Sequence, residues 1–156
     1  MQHLLTHEDT IHAEFQRWVA SQRPRQHYLV RCDPDAVFTL ARQVAGVGAS
    51  PVRLIQQPLP FSPPADNSGT LIVNDVHALR LGEQIAFYDW LGHGCGDVRV
   101  ISVTPFDLQC LTDRGLFLQG LFHRLSAVQF DLTSRKVQRD ESVGRSGPRG
   151  AHVRER

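Results

Sequence analysis

Apolar residues recur along this chain in two alternating rhythms. In "EDTIHAEFQRWVASQ" (8–22), Ile11, Phe15, Trp18 and Val19 fall at helical spacing, with Asp9 or Thr10 placed to cap the start. "HYLVR" (27–31) is a short apolar run of buried-strand type. Asp33 then stands at a helix N-cap position with Pro34 at the first helical position, and Val37, Leu40, Ala41 and Val44 set a helix that stops at Gly46. The same alternation continues. Strands are predicted at 51–56, 70–75, 98–103 and 127–132, and helices at 81–92, ending at Gly92, and at 116–126. A proline-rich loop (57–69) and a turn with a short helix, "PFDLQCLTDRG", complete the connections.

Strands that alternate with helices predict a parallel sheet covered on both faces. The expectation is an α/β three-layer sandwich with a five-stranded parallel sheet, in one core domain over 1–132. Phe15, Trp18 and Trp90 are core candidates. The segment 133–156, with "GRSGPRG" inside it, shows no apolar periodicity and reads as a disordered basic tail.

Charge changes the picture only at that tail. It carries seven Lys/Arg against three acids, which is +4 and leaves −3 for the rest of a chain whose net charge is +1. Acids dilute the basic run and no aromatic residues interleave with it, so nucleic-acid binding is expected to be weak at most. The three cysteines, Cys32, Cys95 and Cys110, are scattered, which argues against a disulfide framework, and no pair has zinc-ligand spacing. No apolar run reaches the length of a membrane span and the start lacks a secretory pattern, so the expected location is the cytoplasm. His77 and His123 are read as structural or surface residues without a partner.

"GTLIVNDVHAL" (69–79) resembles the second nucleotide motif of the AAA+ domain in bacterial sigma-54-dependent transcription activators, where an apolar strand ends in Asp-Glu. "VRVISVTPFDL" (98–108) looks like the sensor strand of that family. "GLFLQGLFHRLSAVQFDL" (115–132) looks like its arginine-finger helix and final strand. "HYLVRCDPDAVFTLARQVAG" (27–46) falls where the family has its phosphate loop and the helix after it. The resemblance spans roughly residues 10–132. It implies a P-loop NTPase/AAA+ core, shortened and without the helical lid and the sigma-54-contacting insertion.

The resemblance also implies what each residue replaces. The phosphate-loop lysine position is Val37 and the hydroxyl after it Phe38. The magnesium-holding Asp is Asn74, the water-activating Glu is Asp75, and the sensor Asn is Pro105. The first finger arginine is Leu118, and the second survives as Arg124. A phosphate loop needs glycine N–H groups and a lysine. Pro34 removes an N–H, while Asp33 and Asp35 put carboxylates at the positive end of the helix dipole. The relic nucleotide cleft is thus expected at Cys32, Asp33, Asp35, Val37, Asn74, Asp75, Pro105 and Arg124, with no catalytic residue, no metal and no ATP or magnesium. The expected partner is a protein, either a second copy or an AAA+ activator. The alternative is a sensor of a nucleotide or other small ligand in that cleft.

Overall fold

A computed structural model describes residues 7–21, 26–47, 51–56, 61–65 and 68–133. The element order is α1 (His7–Ala20), β1 (Tyr28–Arg31), a 3-10 turn (Pro34–Ala36) running into α2 (Val37–Val47), β2 (Val52–Ile55), β3 (Thr70–Val73) and a second 3-10 turn (Val76–Ala78). It continues with α3 (Leu81–His93), β4 (Arg99–Thr104), α4 (Leu108–Asp113), α5 (Gln119–Leu125) and β5 (Val128–Asp131). The five strands form one parallel sheet in the order β2-β3-β4-β1-β5. The expected three-layer α/β architecture is therefore the observed one.

The core follows from strand alternation. Tyr28, Val30, Ile72, Ile101, Val103 and Phe130 face one side, where they pack with Phe15 and Val19 of α1 and Val37, Leu40 and Val44 of α2. Leu29, Leu71, Val73 and Val100 face the other side, with Phe87 and Trp90 of α3, Leu108 of α4 and Leu121 and Leu125 of α5. Right-handed crossovers explain the division. The chain crosses the sheet one way from β1 to β2 and returns the other way through β3, β4 and β5. At the carboxyl ends of β1 and β4 the connections leave toward opposite faces, the position at which open α/β sheets form their ligand crevice.

Several boundaries differ from the sequence expectation. Asp9 and Thr10 lie inside α1, which already begins at His7. Gly46 lies inside α2, which runs to Val47. Gly92 lies inside α3, whose cap is Gly94. At Gly92 a Cβ would collide with the Arg124 guanidinium, so its value there is clearance between helices. The predicted strand over 70–75 ends at Val73, which puts Asn74 and Asp75 in the turn beyond it. The tail, from 134 on, lies outside the described residues.

Two polar anchors escape the hydrophobic pattern. Arg99, buried in β4, donates from Nη1 to the Val19 carbonyl at 2.7 Å and from Nη2 to Thr70 Oγ1 at 3.1 Å, tying the last turn of α1 to the sheet. Gln84, buried on α3, donates from Nε2 to the Leu79 carbonyl at 2.9 Å and accepts the Leu118 N–H at 2.8 Å. It thereby joins α3 to the chain entering α5.

Leu121 is fully buried and Leu81 is 61% exposed. Leu121→Ala is expected to lower unfolding stability by about 2–5 kcal/mol. Leu81→Ala should change it by no more than about 0.5 kcal/mol. Urea midpoints with unchanged slope check both.

Candidate functional site

The carboxyl edge of the sheet brings three loops together. After β1, the Cys32 N–H donates to the Thr104 carbonyl at 3.1 Å, and the Cys32 side chain is buried in the α1–α2 core. Asp33 is extended (φ −64°, ψ 146°), and its carbonyl accepts the Ala36 N–H at 3.0 Å. Its side chain makes no capping hydrogen bond, so the expected side-chain cap is replaced by the backbone turn that Pro34 favours. Asp33 is half-buried and Asp35 exposed. Val37 is 1% exposed and points into the core, away from solvent. Phe38 is 58% exposed.

After β3, the Asn74 N–H donates to the Ile55 carbonyl at 2.9 Å, and its Oδ1 accepts the Asp75 N–H at 2.9 Å. The Asn74 amide oxygen is thus turned onto its own backbone. Asp75 has φ 52° and ψ 44°, the one left-handed non-glycine residue among those described. It starts the following 3-10 turn through its carbonyl, with no side-chain cap. Asp33, Asp35 and Asp75 all act electrostatically on Cys32. Burial first, then these carboxylates, push its thiol up to about 11. The loops after β1 and β3, which carry these three carboxylates, make up the acidic corner of this edge.

After β4, the Pro105 carbonyl accepts from Arg31 Nε at 3.4 Å, and Asp107 Oδ1 caps α4 at the Gln109 N–H, 3.0 Å away. Thr104 Oγ1 accepts the Phe106 N–H at 3.2 Å and lies 3.0 Å from His77 Nδ1. The His77 and Phe106 rings meet edge-on, with centroids 4.7 Å apart. Burial lowers the His77 pKa, and the Asp75 carboxylate partly opposes this. His77 therefore has a partner, contrary to the expectation from sequence. Nothing in "VNDVHAL" announces that partner, because Thr104 is 27 positions away and becomes a neighbour only through the pairing of β3 with β4.

Arg124 does not join this corner. Its Nη1 donates to the Tyr88 carbonyl at 2.7 Å and its guanidinium lies 3.8 Å over the Tyr88 ring. Tyr88 is in the half of α3 that leads down to the start of β4, so this contact faces the amino edge of the sheet. Of the eight sequence-predicted cleft residues, Cys32, Asp33, Asp35, Asn74, Asp75 and Pro105 lie at the carboxyl edge. Val37 is in the core and Arg124 is elsewhere. Among the described residues, no group of three or more His, Cys, Asp and Glu side chains could hold a metal ion. No helix among them is long and apolar enough to cross a membrane.

The same sheet order and helix placement recur in solved structures. NtrX from Brucella abortus in complex with ADP superposes with a TM-score of 0.66 at 17% identity, over 85% of this chain and 37% of that one. NtrX in complex with ATP gives a TM-score of 0.59 at 18% identity, over 77% of this chain and 35% of that one. The P-loop NTPase domain of a sigma-54 transport activator from E. coli gives 0.57 at 14% identity, over 81% of this chain and 96% of that one. The chain thus spans little more than a third of NtrX. No curated protein matches it. The family model described as the Sigma-54 interaction domain matches residues 34–134, well over half of the sequence. By that match, the chain belongs to the Sigma-54 interaction domain family.

Proposed function

We propose that this domain works without phosphoryl transfer, as a protein-contact module in transcriptional or signalling control. The observation that carries the reading is the acidic corner at the phosphate-loop address. Asp33 and Asp35 on the loop after β1 and Asp75 on the loop after β3 give this edge three carboxylates where relatives would present N–H groups and a lysine. At about 4 Å two like charges repel by about 1 kcal/mol in water, and several-fold more at lower effective dielectric. A triphosphate brought here meets repulsion.

The other positions support the same reading. Val37, at the lysine position, is buried, and Pro34 offers no N–H. Asn74 is neutral, with its amide oxygen bonded to the Asp75 N–H. Pro105 has no polar side chain, and the Arg124 guanidinium is committed to Tyr88. Phosphoryl transfer depends on positioned charge, and these substitutions remove it.

For protein contact, the support is a small apolar surface. Leu81, Ile85 and Leu116 are 61%, 47% and 58% exposed. Leu81 and Ile85 are one turn apart on α3, and Gln84 of that helix donates to the Leu116 carbonyl at 3.4 Å. Grouped apolar exposure of this kind marks contact surfaces. A second copy or an AAA+ activator of the same family fits as partner. The second reading, a small-ligand sensor, draws on one observation: the half-exposed Phe106 ring meets the His77 ring edge-on at the carboxyl edge of the sheet.

Phosphate release from Mg-ATP should stay at the buffer rate and be the same for Asp75→Ala. Release above that rate that falls in Asp75→Ala would overturn the non-catalytic reading. On gel filtration, the chain should co-elute with itself or with a family activator, and the pair Leu81→Asp and Ile85→Asp should abolish the complex. Alkylation of the native chain should mark the exposed Cys110 and spare the buried Cys32 and Cys95. Mass spectrometry of the digest reads this directly.

A further inference from the structure

His77 stands where the loops after β3 and β4 meet. Thr104 is 1% exposed, and its hydroxyl has one proton to donate. That oxygen already accepts the Phe106 N–H. The acceptor within reach of its proton, among the described residues, is His77 Nδ1 at 3.0 Å. A neutral imidazole carrying its own proton on Nε2 satisfies the arrangement, and the edge-on Phe106 ring closes over it.

We propose that His77 is a proton-operated latch: the neutral ring holds the β3 and β4 loops together through Thr104, and the protonated ring releases them. A protonated imidazole carries N–H on both nitrogens. Its Nδ1–H then points at Thr104 Oγ1, and the hydroxyl loses the acceptor it has among the described residues. From the loop after β3, Asp75 is the charge acting on His77, and it favours the protonated form. From β4 and the loop after it the facing groups, Thr104 and Phe106, are uncharged. Burial outweighs Asp75 and keeps the folded value below the ordinary 6.5. The stability held in the latch is therefore complete above that ordinary value and is lost as pH falls through the lower, folded one. Release frees the loop that carries Phe106, already 54% exposed, at the mouth of the crevice. The latch does not depend on the proposed function, since it operates whether or not the crevice holds a ligand.

The test is a pH series on the full isotope-labelled chain by NMR, from about pH 8 to about pH 5. The His77 ring is expected to titrate below 6.5, and the backbone amides of His77 and Phe106 to move with the same midpoint. In Thr104→Val the His77 midpoint should rise, because the donor to the neutral ring is gone, and the Phe106 amide should cease to follow it. Should Thr104→Val not fold, His77→Phe should abolish the Phe106 response. A His77 midpoint at or above 6.5, or a Phe106 response that persists in either variant, would overturn the proposal.

Discussion

The bond from the Cys32 N–H to the Thr104 carbonyl carries the pairing of β1 and β4 one step beyond the last residue of β1. The carboxyl edge of the sheet is hung on it. Because β1 and β4 are fixed side by side to their ends, the loops that leave them start from one line and diverge to opposite faces. Asp33 and Asp35 thereby leave from the same edge as Thr104, which is turned toward His77. The two central strands supply the rigidity, since all six residues of β4 and the first three of β1 are buried.

In the proposed function, the chemistry of that edge is the inverse of an anion site. A helix N-terminus gathers partial positive charge and unsatisfied N–H groups, which is why phosphates settle there. Here Pro34 has no N–H, a 3-10 turn uses the Ala36 N–H on the Asp33 carbonyl, and the carboxylates answer the dipole from within the chain. Burial first, and these carboxylates after it, raise the Cys32 thiol to about 11. One set of residues both starts α2 and opposes the ligand for which such a start is suited.

Element type and order were legible in the sequence because strands and helices have different apolar periods and each keeps its own from β1 to β5. Strand order was not read from the sequence, because it is set by pairing between strands far apart in the chain. What escaped was set by tertiary neighbours. Gly92 looked like a helix stop, and its role emerged only from the Arg124 guanidinium packed against it. Val37 was placed in a cleft by motif position, but the 3-10 turn rotates it into the core. Arg124 was grouped with the cleft because it is polar and motif-borne, yet Tyr88 on the adjoining helix holds it toward the other edge. His77 found its partner across two strands, a distance at which a single sequence carries no signal.

The central claim is that the acidic corner has closed this fold to nucleotide. It is tested most directly by the thermal midpoint of the chain with and without Mg-ATP. The account predicts no change. A nucleotide held at a hundredfold excess over its Kd would add about 2.7 kcal/mol, which for a chain of this size is an upward shift of roughly 5 °C or more. A shift of that size would contradict it.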